Sequence, residues 1–316
     1  MSGFRSGFVA VVGRPNVGKS TLVNAMVGTK VTIVSPRPNT TRSQVRGVLN
    51  RPNAQLVFVD TPGLHKPKTA LGQRMNESAT SSLDDVDAVV ALVEATGAVG
   101  PGDRMVLAHS VNRMRSMARA ASAARAHGAE GIGRPTLFVV VNKIDRVGGN
   151  GVLGHLTGVA AVVNELDAEA GGDPVPVEYF PLSATTGTGV PDLVDALVDR
   201  MPEGPRYYPE GMVTDVAEAF WVADLVREEL LYRVADELPH SIACRITEWE
   251  WPRVRCEILV ERDSQKGIVI GKGGITLKEV GTAVRSQMEP GAYLELFVRV
   301  EKRWQQREDS LDRLGF

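Results

Sequence analysis

Short apolar runs alternate with helix-spaced segments over the first two-thirds of the chain. Val9–Val12, Leu56–Asp60, Ala88–Val93 and Leu137–Asn142 are valine-rich and apolar at consecutive positions. That pattern predicts parallel strands covered on both faces. A fifth run, Val177–Leu182, is more polar. Gln44–Leu49 and Leu56–Asp60 flank Asn50-Arg51-Pro52-Asn53, a turn cluster that predicts an antiparallel edge hairpin. Ser20–Val27 and Pro191–Arg200 read as helices, the second with Leu193, Val194, Leu197 and Val198 on one face. The expected architecture is α/β, a doubly wound and mostly parallel sheet.

Two proline-glycine clusters, Pro202-Glu203-Gly204-Pro205 and Pro209-Glu210-Gly211, interrupt this order. They divide the chain into expected domains 1–203 and 204–316. Beyond them a long amphipathic helix (Asp215–Asp236) precedes alternating strands near Ser241–Thr247 and Arg253–Glu261. A short helix, the loop Gly271-Lys272-Gly273-Gly274, a helix (Ile275–Met288) and a strand (Tyr293–Val300) follow, then a helical tail. The second domain is therefore α+β. Val111–Gly133, rich in Ala and Arg, predicts an exposed helix with a loose end. Gly148–Gly154 and Ala168–Asp173 predict mobile loops.

Composition narrows the class. The chain has 316 residues, a net charge of -2 and 2 cysteines. Two cysteines cannot build a disulfide framework, and Cys244 and Cys256 fall on the alternating strands as small core residues. No uncharged apolar run is long enough to cross a bilayer. Phe8–Val12 is followed at once by Gly13, so it reads as a first strand and not as a signal peptide. A cytoplasmic monomer is the expectation.

The chemistry lies at the strand ends. Gly13-Arg14-Pro15-Asn16-Val17-Gly18-Lys19-Ser20 matches G-x-x-x-x-G-K-S between a predicted strand and a predicted helix, the context of a phosphate-binding P-loop. Backbone N–H groups from Gly13 to Thr21 can wrap phosphates at the helix N-terminus. Lys19 reaches the β- and γ-phosphates, and the Ser20 hydroxyl binds Mg²⁺. Asp60-Thr61-Pro62-Gly63 ends the next strand: Asp60 can hold Mg²⁺ through water, and the Gly63 N–H can sense the γ-phosphate. Asn142-Lys143-Ile144-Asp145 ends the fourth parallel strand. The Asp145 carboxylate can accept from N1–H and the 2-amino group of guanine; adenine offers neither donor, which disfavours ATP. Ser183-Ala184 can present a backbone N–H to guanine O6. In this order the elements imply a GTPase. Between P-loop helix and edge strand stand Thr40 and Thr41; Thr41 is the expected second Mg²⁺ ligand. Leu64 follows Gly63 where many small GTPases carry the glutamine that orients water, so slow intrinsic turnover is expected. His65 is read as a solvated loop histidine in preference to a base.

In the second domain acidic residues outnumber basic ones from Arg206 onward, against indiscriminate polyanion binding. Locally, Arg262, Lys266, Lys272, Lys278 and Arg285 surround Gly271–Gly274, and Ile268, Val269 and Ile270 lead into it. A G-x-x-G loop between two helices, in the order helix-strand-strand-helix-helix-strand, resembles a type II KH module. That resemblance implies a clamp on single-stranded RNA made by Ile270, Gly271, Lys272, Gly273, Gly274 and Lys278. Trp249 and Trp251 flank a hairpin tip, where packing is at least as good a reading as base stacking.

Asn-Thr-Thr-Arg, Asp-Thr-Pro-Gly-Leu-His and Asn-Lys-Ile-Asp joined to a C-terminal KH module resemble the Era family of GTPases over essentially the whole chain, including Leu225–Pro239 and the terminal Leu314-Gly315-Phe316. The 111–133 segment and the glycine-rich loops depart from it. The resemblance implies a GTP/GDP switch that binds small-subunit ribosomal RNA near its 3′ end and assists assembly of the small ribosomal subunit. It extends to K⁺ coordinated through Asn16, which can supply transition-state charge as an arginine finger does, and to peripheral contact with the inner face of the cell membrane. The residues also admit an RNA-binding module whose slow hydrolysis only times release, and an envelope-associated signalling GTPase whose KH domain contacts protein. A tRNA-modification GTPase is disfavoured, because no additional catalytic domain or terminal reactive cysteine is present.

Overall fold

The computed structural model describes residues 3–64, 67, 69–83, 86–127, 135–171, 173–234 and 238–316. Two compact units emerge: Met1–Thr32, Gln44–His65 and Asn76–Asp215 form the first, and Ile33–Ser43, Lys66–Met75 and Val216–Phe316 the second. The linear order gave no hint that two early segments group with the C-terminal part.

The first unit runs β1 (Arg5–Gly13), α1 (Lys19–Val27), β2 (Val45–Arg51), β3 (Ala54–Asp60), α2 (Ala70–Ser81), β4 (Ala88–Glu94), α3 (Pro101–Ala126), β5 (Leu137–Asn142), α4 (Gly149–Ala170), β6 (Val177–Pro181) and α5 (Val190–Arg200). Helix α2 is shared, since its residues up to Met75 belong to the second unit. Among the described residues the strands form a six-stranded sheet of order β2-β3-β1-β4-β5-β6. Only β2 is antiparallel, paired with β3 so that Arg51 lies opposite Ala54 across a tight turn. Alternation along β1 explains the two cores. Val9 and Val11 face one layer with Leu22 of α1 and Leu193 of α5, while Ala10 and Val12 face the other with Val106 of α3 and Val159 of α4.

Three sequence expectations need correction here. The 111–133 segment is the second half of a longer helix: α3 starts at Pro101, with the Gly100 N–H held by Asp103 Oδ2 at 3.0 Å. It is not simply exposed, because Val111, Met114 and Ala121 are buried and Arg115 pairs with Asp167 at 2.7 Å. Residues 128–133 lie outside the described residues. Gly148–Gly154 is not a loop but leads into the first turns of α4, and Ala168–Asp173 begins as its last turn. Glycine disfavours helix, yet burial of Val159 and Val163 in the same helix overrides that local preference. Helix α2 was not foreseen; the Thr69 hydroxyl accepts the Gly72 N–H at 3.0 Å at its start.

The second unit contains α6 (Glu218–Arg233), β7 (Ala243–Glu250), β8 (Arg253–Val260), α7 (Asp263–Ile270), α8 (Ile275–Arg285), β9 (Tyr293–Val300) and α9 (Glu308–Leu314). Helix α6 is shorter than expected at both ends, with extended backbone at Ala217 and at Val234; Asp236 lies outside the described residues. The sheet has order β7-β8-β9, antiparallel then parallel, the parallel pair being connected through α7 and α8. Cys256 is fully buried and Cys244 half-buried, both as free thiols. Trp249 packs partly against the core and Trp251 is exposed. Among the described residues no helix is long and apolar enough to cross a membrane.

Candidate functional site

β1 delivers its last residue, Gly13, into a loop whose backbone turns left-handed at Asn16 (φ 64°) and Gly18 (φ 103°) before α1 begins at Lys19. This is the curl that turns successive N–H groups toward one point. Lys19 folds back over the loop, its Nζ donating to the carbonyls of Gly13 (3.1 Å) and Arg14 (3.0 Å). Burial pulls the ammonium down to about 8, with the Asp60 carboxylate pulling the other way. Val17 is buried and Thr21 half-buried on the first turn of the helix.

Asp60 ends β3 with no exposed surface. Its Oδ2 accepts from the Ser20 hydroxyl at 2.7 Å and from the Thr32 hydroxyl at 2.9 Å. Hydroxyl and carboxylate oxygens are the hard donors that Mg²⁺ takes beside phosphate and water, so the set fits that ion. Thr32 escaped sequence reasoning; a threonine in an otherwise apolar Val31–Ile33 stretch was the available signal. Gly63 is pressed onto the loop: a Cβ there would lie 2.6 Å from Pro15 N and 2.8 Å from Pro15 Cα. Only glycine allows that approach. Leu64 is buried in the same core cluster as Ala10, Val12 and Leu83. His65 lies outside the described residues.

The end expected to read the base is built on β5. Asn142 does not project outward; its Nδ2 donates to the Val17 carbonyl at 2.8 Å, and its Oδ1 accepts from Lys143 N (2.8 Å) and Ala184 N (3.0 Å). The Ser183 N–H is bonded to the Thr188 carbonyl at 2.9 Å. The amide expected at guanine O6 is thus already engaged by Asn142, and a base would have to share it. Lys143, itself left-handed (φ 67°), donates from Nζ to the Asn16 carbonyl at 2.8 Å and pairs with Glu94 at 3.0 Å. Burial acts to raise the Glu94 carboxyl, but the Thr96 hydroxyl and the Lys143 ammonium outweigh it and hold the group below its usual range. Glu94 was missed, although a carboxylate closing the apolar run of β4, in register with Asn142, was legible as a signal. Asp145 stands exposed in the single turn Ile144–Arg146.

The expected Mg²⁺ ligand Thr41 is not grouped with Ser20 and Asp60. Its segment, Ile33–Ser43, belongs to the second unit. Thr40 and Thr41 are buried, and the Thr40 hydroxyl donates to the Arg37 carbonyl at 2.8 Å. Arg42 is also buried: Nη1 donates to the Ile242 carbonyl at 2.6 Å and the guanidinium lies 5.7 Å from the centre of the Trp304 ring. Burial, with the neighbouring Arg227, pulls Arg42 down to about 9, still protonated at neutral pH.

The second candidate element joins α7 to α8. Gly271, Gly273 and Gly274 all have positive φ (75°, 61° and 79°), so the loop is left-handed at three of four positions. A Cβ at Gly271 would meet Thr276 Oγ1 at 2.2 Å, whereas Gly273 and Gly274 face open space. Lys272 and Lys278 are exposed, Ile270 is half-buried, and Ile268 and Ile275 flank the loop at 56% and 55% exposure. Apolar side chains left in water beside a loop with three glycines in four positions suit a ligand with flat faces and a phosphodiester spine.

Fold and site together define a P-loop guanine-nucleotide protein with an appended KH module. Residues 8–125 match the family model described as a 50S ribosome-binding GTPase, and residues 237–305 match that of the KH domain. The chain is 46% identical to GTPase Era of Mycobacterium sp. (strain KMS) and 44% identical to GTPase Era of Mycobacterium tuberculosis (strain ATCC 25177 / H37Ra), over 100% of each chain in both cases. Among solved structures, Era in complex with MgGDPNP and nucleotides 1506–1542 of 16S ribosomal RNA superposes with a TM-score of 0.82 at 34% identity, covering 99% of both chains. An Aquifex aeolicus Era variant bound to GDP and AlF4⁻ matches equally well, with a TM-score of 0.82. The chain belongs to the Era family of GTPases.

Proposed function

We propose that this chain is a Mg²⁺-dependent GTP-hydrolysing switch that binds small-subunit ribosomal RNA near its 3′ end and assists assembly and maturation of the small ribosomal subunit. The observation that carries it is the convergence of the P-loop, the Ser20–Asp60 pair and the Asn142 brace at the same sheet ends, in a chain that also carries the Gly271–Gly274 loop. The relative solved with MgGDPNP and a 16S fragment supports the ligand set.

In this reading Gly13 to Thr21 bind the phosphates, and Lys19 gives up its loop carbonyls to reach the β- and γ-oxygens. Ser20, Asp60 and Thr41 hold Mg²⁺, which when bound offsets charge developing on those oxygens. Asp145 selects guanine. Gly63 reads the γ-phosphate through its N–H, and an apolar Leu64 leaves turnover slow. Asn16 is proposed to hold K⁺; equal turnover in Na⁺ and K⁺ would defeat that part. RNA lies on Ile270–Gly274 and Lys278. The protein works as a cytoplasmic monomer, in domains 1–203 and 204–316.

The test is to crosslink the protein to cellular RNA with a non-hydrolysable GTP analogue bound, and sequence what is captured. A peak near the 3′ end of small-subunit ribosomal RNA, abolished by Gly273→Asp with Gly274→Asp, is expected. A flat profile would remove the RNA assignment and leave the nucleotide site standing.

A further inference from the structure

Two turns of α6 carry Phe220, Ala223, Asp224 and Arg227 at helical spacing, along one stripe of its surface. The stripe lines a small cavity that lies wholly within the second unit, with Arg42, Ser43 and Cys244 of β7 among its other walls. Its volume is about 20 Å³. One water-sized sphere needs roughly 10–15 Å³, so the cavity has room for a single small occupant.

The polar groups on this cavity are short of acceptors. Arg227 is 4% exposed. Asp224 Oδ1 accepts from its Nε at 3.2 Å and from its Nη2 at 2.9 Å. Those two bonds use one edge of the guanidinium. Nη1, at the other end of the fork, is buried and has no hydrogen-bond partner. The Ser43 hydroxyl is also buried without a partner. Arg42 brings a second guanidinium to the same cavity. Its Nη1 donates to the Ile242 carbonyl at 2.6 Å and its Nη2 to the Pro239 carbonyl at 3.4 Å. Carbonyl oxygens satisfy hydrogen bonds without bringing a full negative charge. Burial and then the nearby Arg227 pull Arg42 down to about 9, so the two cations repel each other.

A buried charged donor is costly until an acceptor reaches it. Water would accept from Arg227 and Ser43 but would leave the repulsion as it is. A monoatomic anion accepts from every direction, relieves the repulsion, and has no hydrogen of its own to place among donors. Phosphate and sulfate are too large for the volume. Phe220 and Phe316 add apolar wall, which suits a weakly hydrated ion better than a strongly hydrated one.

We infer that this cavity is a binding site for a halide ion, chloride under physiological conditions, held by Arg227 Nη1 and the Ser43 hydroxyl beside the Arg42 guanidinium. The ion joins α6, the end of the Ile33–Ser43 segment and β7, and the second unit is more stable with it than without.

The experiment uses the full-length chain with GDP and Mg²⁺ bound, so that the nucleotide site is filled. Crystals are exchanged from chloride into bromide and searched for anomalous signal. In solution, chlorine NMR line broadening is followed as chloride replaces gluconate at constant ionic strength, for the wild type, Arg227→Met and Ser43→Ala. The expected map has a bromide peak in the cavity, within hydrogen-bond reach of Arg227 Nη1 and Ser43 Oγ. Excess broadening saturates in the millimolar range for the wild type, disappears in Arg227→Met and falls fivefold or more in Ser43→Ala. Exchanging chloride for gluconate lowers the wild-type melting temperature by about 3 °C and leaves that of Arg227→Met unchanged. If Arg227→Met fails to fold, Ser43→Ala and the bromide map carry the test. A cavity holding water with no anomalous signal overturns the inference, as does broadening that is equal in all variants. Bromide seen at soaking concentration without a saturating chloride titration means an adventitious ion only, and overturns it too.

Discussion

Asn142 Nδ2 donates to the Val17 carbonyl at 2.8 Å, so the strand end proposed to read the base also holds the loop proposed to wrap the phosphates. The fit is close: a Cβ on Gly18 would lie 2.3 Å from that same Nδ2. Because Oδ1 also gathers the amides of Lys143 and Ala184, one buried amide side chain ties three recognition segments together. Asn142→Ala should therefore weaken GTP and GDP equally, by at least about tenfold, and cost roughly 1–3 kcal/mol of stability for the polar groups left unpaired. Titration with fluorescent nucleotides and thermal melts measure both. Loss of one nucleotide only would contradict the brace.

Asp145 is exposed in its turn and is the residue proposed to select the base. Replacing it by Asn removes a charged acceptor for N1–H and the 2-amino group, an effect of about 1.5–3 kcal/mol or roughly 10–150-fold for GTP. The new amide can donate to the 2-oxo group of xanthine, so xanthosine triphosphate should compete better against Asp145→Asn than against the wild type. Competition binding decides it.

Lys19 links binding to pH. Its ammonium, ordinarily at 10.5, stands at about 8 in the folded chain through burial. Between those values the unfolded chain holds more protons than the folded one, so stability of the ligand-free protein rises as pH climbs from about 8 toward 10.5. Phosphate oxygens raise the folded value again. Nucleotide binding above pH 8 should accordingly take up close to one proton and weaken with rising pH. Calorimetry in buffers of different ionisation enthalpy reads the uptake directly, and Lys19→Met removes it.

The loop glycines separate binding from folding. At Gly273 and Gly274 nothing crowds a new side chain, so Asp at both positions costs only the strain of positive φ, about 1–2 kcal/mol each, while setting two carboxylates against an RNA backbone. RNA affinity should fall tenfold or more with nucleotide turnover unchanged. Gly271→Ala, which runs into Thr276, should instead lower the melting temperature.

Leu64→Gln tests whether the apolar residue is a missing catalyst or a core element. The side chain is buried among Ala10, Val12 and Leu83, so a polar replacement should cost about 1–3 kcal/mol and bring no gain in turnover. A faster enzyme would show that the new amide had found its way to water.

The phosphate and base motifs were readable because each is a run of consecutive residues at a strand end, with chemistry that follows from residue type. The parallel sheet was readable because Val-rich runs buried on both faces leave no polar alternation. What the chain hid depends on tertiary contact. Val159 and Val163 hold α4 against the preference of its glycines, Glu94 meets Lys143 only through strand pairing, and Thr32 finds Asp60 only after the fold closes. That Arg42 is seated on Trp304 was not legible either, because those two residues lie far apart in sequence.

Helix α4 opens with Gly149, Gly151, Gly154 and Gly158, and its buried valines come only afterwards. At Gly154 and Gly158 a methyl group would meet nothing within 4 Å, so packing does not require glycine at either place. Each costs the helix about 1 kcal/mol relative to alanine. The first half of α4 should thus lose its amide protons to solvent by fraying while the second half exchanges only with the sheet. The stretch that follows Asp145 should then open more readily than the second half of the helix. Alanine at both positions would stiffen it, and the lifetime of bound GDP would lengthen with it.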